Sequence, residues 1–148
     1  MMKAVFNILA ICGAAGFSGV MLSIGVTLGG YWRSLPSGDF LDWFAANNQF
    51  ASKTIPLLVL PTLIGLIGSI WLSWGTAELK YWLASGLCVL VVAVLTFAYF
   101  VPSNTAFASG AMDGANVAVK LNQWLTIHNL RIGLAMAAAI LGCVAIKV

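Results

Sequence analysis

The residues best suited to chemistry lie on one face of one segment. Lys120, Trp124, His128 and Arg131 follow one another at steps of four, four and three, a spacing that aligns side chains along a single α-helical face. His128 is the sole histidine in the chain. An imidazole titrates closest to neutral pH of the ordinary side chains, so a general base of that kind has to be His128. Arg131 adds a fixed positive charge and several N–H donors, which would stabilise a developing oxyanion. Both residues stand where the sequence turns continuously apolar. A charge at the bilayer centre costs roughly 2.5 to 3.5 kcal/mol on insertion scales, and less toward the edge. Two readings therefore stand side by side. Either a polar ladder enters a sheltered space between helices, or Arg131 snorkels to lipid phosphates while His128 caps or bridges helices.

What the chain lacks narrows the chemistry. There is no Gly-x-Ser-x-Gly elbow, no cysteine beside His128 and no glycine-rich phosphate loop. One histidine and four carboxylates, three of them in expected loops, make no ligand cluster, so no metal site held by the protein alone is expected. Cys12, Cys88 and Cys143 lie in apolar segments and read as small packing residues. Seven basic residues are scattered without a patch, which points away from nucleic acid.

The elements that must position this face are membrane helices. Of the 148 residues, 61% are hydrophobic and 7% charged, with a mean hydropathy of +1.01, against about 25% charged in a soluble domain. A hydrocarbon core of roughly 30 Å takes a helix of about 20 apolar residues. The sequence accordingly reads as one all-α membrane domain, a four-helix bundle with spans near residues 5–28, 55–74, 81–101 and 130–146. The first apolar run is too long for a signal core and is taken as an uncleaved span. Gly29-Gly30 is expected to end it, with Tyr31 and Trp32 as interface anchors. Ala15, Gly19, Ser23 and Thr27 recur every fourth residue, as do Gly133 with Ala137 and Ala138 with Gly142, a pattern for close helix packing.

Two long polar connections, about Arg33–Lys53 and Pro102–Gln123, fall on one side of the membrane. In the first, Phe40, Trp43 and Phe44 suit a short interfacial helix or a lid over the bundle mouth. Pro61 is expected to bend the second span and Pro102 to stop the third. Lysine and arginine counts are nearly balanced between the two sides. The lysines close to span ends favour cytoplasmic termini, in a bacterial inner membrane.

Trp124-x-x-x-His128-x-x-Arg131 at the head of the last span, Pro102-x-Asn104 after the third, and four spans with two same-side connections resemble the anthrone oxygenase-like family of small membrane proteins. Members with known activity oxidise anthrones to anthraquinones with molecular oxygen. The chain departs from the family's pattern at Ile132, where Thr is common, and at Gly29-Gly30-Tyr31, where a Pro is common. The resemblance implies a cofactor-independent oxygenase acting on a phenolic or anthrone-like lipophile. His128 would remove a proton, Arg131 and Asn104 would hold the substrate oxygen, and Trp124 and Trp43 would stack on its ring. Other readings of the residues remain open: a non-enzymatic accessory subunit of a larger membrane complex, a homo-oligomer, or a binder of a lipophile or pigment. Membrane lipid is the partner common to all of them.

Overall fold

The computed structural model describes residues 1–110 and 112–148, the side chains of residues 51 and 52 excepted, and every regular element among them is helical. Four long helices carry the chain: α1 (Met2–Ser34), α2 (Ser37–Leu72), α3 (Leu79–Ala108) and α4 (Gly114–Ala145). Each contains a stretch long and apolar enough to cross a membrane, which in α2 is Lys53–Leu72. In lipid every backbone N–H and C=O must find its partner internally. The chain is thus a membrane protein built as an all-α bundle, its apolar outer faces in contact with lipid.

The polar connections are themselves mostly helical. Gly29-Gly30 does not end α1, because Gly29 serves close packing instead: a Cβ there would stand 2.6 Å from Leu125 Cδ2 of α4. The chain reverses at Leu35-Pro36, with Leu35 extended at φ −85° and ψ 145°, the conformation a following proline imposes. The aromatic segment expected as an interfacial helix is the first part of α2, which continues unbroken through Pro56 and Pro61. Nor does Pro102 stop α3. A π-helical turn at Thr96–Phe100 immediately precedes it, and the wider turn accommodates the ring and the missing N–H that would break an α-helix. A second π turn, Ile24–Leu28, lies within α1. Asp113 caps α4 by accepting from Ala115 N–H at 3.4 Å, so this helix starts well before the apolar stretch at Leu130.

α1 is the central helix, packed along α2 and α4, while α3 packs on α4 and meets α2 toward its two ends, where Phe107 packs on Phe40 and Phe44 and Ile70 lies beside Gly86. Its inward face is Ala10, Gly13, Ala14, Phe17, Ser18 and Met21. The four-residue stripe of Ala15, Gly19, Ser23 and Thr27 faces outward, and a Cβ at Gly19 would meet nothing within 4 Å. Small residues recur on two faces of this helix, and packing selects the face that also carries Phe17 and Met21. On α4, Ala138 and Gly142 are buried whereas Gly133 is exposed. Cys12 and Cys143 are exposed too, because their positions fall on outward faces; the packing role expected of them is not what the fold assigns. Away from the polar connections, Lys3 Nζ meets Glu78 at 2.8 and 2.9 Å, and Ser69 donates to Asn7 at 2.8 Å.

Two predictions follow from these contacts. A Cβ at Gly65 would overlap the backbone of Ala10, so Gly65→Ala forces α1 and α2 apart. It should cost about 1–3 kcal/mol in detergent unfolding, while Gly19→Ala leaves stability unchanged. The Lys3 hydrogen bond holds the Glu78 carboxyl below its ordinary value of 4.5. A depressed carboxylate contributes stability above its unfolded value and loses it as pH falls through the folded one. Wild type should therefore lose more unfolding temperature than Glu78→Gln on acidification below about pH 4.5, and parallel curves would show the pair to be inert.

Candidate functional site

Met21 closes the inward face of α1 just before its π turn, and its carbonyl oxygen lies 2.8 Å from His128 Nε2. A carbonyl only accepts, so Nε2 carries a hydrogen and the neutral ring keeps its lone pair on Nδ1. Nδ1 is buried and has no partner among the described residues. The imidazole can lie this close to α1 because residue 25 is glycine: a Cβ there would stand 3.1 Å from His128 Cδ2. Trp124, one turn earlier on α4, stacks on the imidazole with centroids 4.7 Å apart and planes at 16°.

Trp124 is held in turn. Its indole N–H donates to Asn104 Oδ1 at 2.9 Å. An indole nitrogen has no acceptor capacity, so the amide oxygen is the end it meets and the amide NH2 of Asn104 is the donor left for a ligand. Phe100, the last residue of the π turn in α3, meets Trp124 edge-on at 5.0 Å. Its ring face lies 4.0 Å from the Arg131 guanidinium carbon, a cation–π contact. Arg131 Nη2 donates to Met21 Sδ at 3.4 Å, and its Nε has no partner. Among the described residues the one ion pair is Lys3–Glu78, so no carboxylate neutralises this guanidinium. His128 is 1% exposed and Arg131 4%, which rules out an arginine snorkelling to the headgroups.

These groups border a partly open cavity of about 380 Å³. His128, Arg131, Asn104, Trp124 and Trp43 all line it, so the five residues singled out from the sequence converge on one space. Trp124, expected to stack on a substrate ring, has one face of its indole occupied by the imidazole. Lys120 departs further. It is exposed and outside the cavity, because at its height α4 packs through Val117 and Leu121 against Phe40 and Phe107. Three groups of the wall were not read from the sequence. Trp32, taken for an interface anchor, is 4% exposed with an unpartnered Nε1; it packs 5.6 Å from both Trp43 and Trp124. Asn47 and Asn48 also line the cavity, their amides donating at 2.8 Å to the carbonyls of Trp43 and Phe44. Nothing in the sequence marks Met21, whose contribution is a backbone oxygen. Among the described residues no three of His, Cys, Asp and Glu come together as a metal site.

Burial of an unneutralised guanidinium is a cost that a site dedicated to stability would not carry. Arg131→Met, of similar length and apolar, should therefore raise stability by about 1 kcal/mol or more in thermal unfolding. A fall in unfolding temperature would show that the charge is held structurally.

The chain matches no curated protein and no solved structure. A family model described as anthrone oxygenase matches residues 40–141, a stretch that runs from early α2 to near the end of α4 and includes Trp43, Asn104, Trp124, His128 and Arg131. A match over well over half of its length, carrying all five of these cavity residues, places the chain in the anthrone oxygenase family.

Proposed function

We propose that the cavity is the active site of a cofactor-independent oxygenase acting on a phenolic or anthrone-like lipophile. The observation that carries this reading is the pairing, on the wall of one cavity, of a histidine whose Nδ1 has no partner among the described residues with a guanidinium that has no carboxylate. A base and an anion-stabilising cation, both desolvated, are what proton removal from a carbon conjugated to a carbonyl requires.

In this reading the planar ring lies among Trp32, Trp43 and Phe44, which supply apolar surface. His128 Nδ1 takes a proton from the methylene opposite the anthrone carbonyl. The electron pair delocalises onto the carbonyl oxygen, where Arg131 and the Asn104 amide NH2 stabilise the negative charge. The carbanion passes one electron to dioxygen, the radical pair combines, and the imidazolium returns its proton to the peroxide. Loss of the remaining C–H proton with hydroxide leaves the second carbonyl. One dioxygen is consumed, one of its atoms entering the product and the other leaving as water. Trp124 acts as a positioning residue, fixing the imidazole plane. We place the termini on the cytoplasmic side of a bacterial inner membrane, on the strength of Lys3, Lys80 and Lys147 near helix ends; the cavity then lies toward the opposite face.

Oxygen uptake by purified protein supplied with an anthrone tests the reading. His128→Ala should lower turnover by about 10²–10⁴-fold, and Arg131→Met by about 10²–10³-fold while remaining folded. Wild-type turnover in the His128 variant would remove the base from the mechanism.

A further inference from the structure

Beyond Arg131 the bundle does not close. Between the contacts that α2 and α3 make toward the two ends of α3, a cleft of about 250 Å³ remains. Phe17 and Ala135 form its floor, and Val59 and Ala93 its facing walls. Two threonines also line it, but the Thr62 and Thr96 hydroxyls each donate at 2.7 Å to a carbonyl of their own helix. Arg131 is thus the one polar side chain with an unsatisfied group on an otherwise apolar surface. Leu63 and Phe97 at the lip are 40% and 74% exposed and lie within membrane-crossing stretches. The cleft therefore opens sideways, toward acyl chains.

Arg131 and Ile55 line this cleft and the polar cavity alike, so the two spaces adjoin through them. An aliphatic cavity of about 150 Å³ already suffices to bind benzene. The cleft is larger and apolar, and through Arg131 and Ile55 it adjoins a space bordered by hydrogen-bonding groups.

We propose that the two spaces form one bipartite site for a phenolic amphiphile, its ring in the polar cavity and an unbranched hydrocarbon tail in the cleft between α2 and α3. The substrate enters from the bilayer, with Arg131 at the junction of head and tail. This assignment rests on the reading of the polar cavity as a phenol site and adds the substrate class and the route.

Equilibrium binding of para-cresol and para-nonylphenol to the protein in phosphatidylcholine nanodiscs separates the two ideas. Ala93→Phe fills the cleft from α3, and Val59→Phe fills it from α2. Each should weaken para-nonylphenol by at least about tenfold, as loss of methylene contacts in an apolar pocket does, and leave para-cresol unchanged. Partition of the probe into the bilayer is the same for every variant and cancels. If para-cresol binds but neither variant weakens para-nonylphenol, the tail assignment is overturned and the phenol reading stands. Should wild type bind neither probe, both fall. Loss of both probes in both variants, or a change of oligomeric state by native mass spectrometry with both affinities intact, also overturns the bipartite site, the latter because the cleft would then be an interface between copies.

Discussion

The hydrogen bond from His128 Nε2–H to the Met21 carbonyl is the interaction on which the rest of this structure depends. It joins α1 to α4 inside the bundle, and Ser18 donating to the Ile132 carbonyl at 3.2 Å supports the same contact. By occupying one ring nitrogen with a group that can only accept, it leaves the other nitrogen as the only place for the lone pair. Backbone oxygens do not move independently of their helix, so the packing of α1 sets which ring nitrogen is bound, while the Trp124 indole fixes the plane of the ring. Gly25 and Gly29 make that packing possible, since a Cβ at either would press on His128 or Leu125.

Around this bond the fold assembles a shell with little freedom. Trp124 stacks on the imidazole, Asn104 holds Trp124, and Phe100 braces both Trp124 and the Arg131 guanidinium. The two π turns lie beside it: Ile24 and Leu28 line the cavity, and Phe100 ends the other turn. Each π turn shifts the register of its helix by a fraction of a turn, which lets a membrane helix serve both lipid packing and a polar site. The absence of a carboxylate beside Arg131 keeps the charge available to a ligand at the expense of stability.

Much of this was legible in the sequence. Long apolar runs and a charged content of 7% impose membrane helices whatever the details, because lipid leaves the backbone no alternative. The steps between Trp124, His128 and Arg131 placed three residues on one face, the family pattern added Asn104, and Trp43 came from the aromatic face of the first polar connection. Helix ends were less legible. Gly29-Gly30 and Pro102 are breakers by propensity, yet a close approach of Leu125 and a preceding π turn convert both into interior positions. The stripe from Ala15 to Thr27 shows the same limit, since spacing identifies a face without saying what it meets. Met21 was beyond reach altogether, because a carbonyl is common to every residue.

The central claim can be tested by nitrogen NMR, since a chain with one histidine labelled with ¹⁵N-histidine reports that imidazole alone. The account predicts a protonated Nε2 coupled to its hydrogen and an unprotonated, pyridine-like Nδ1 at neutral pH, with Nδ1 the nitrogen whose signal moves when an anthrone or phenol binds. A hydrogen on Nδ1 with Nε2 bare, or a ring indifferent to such ligands, would contradict it.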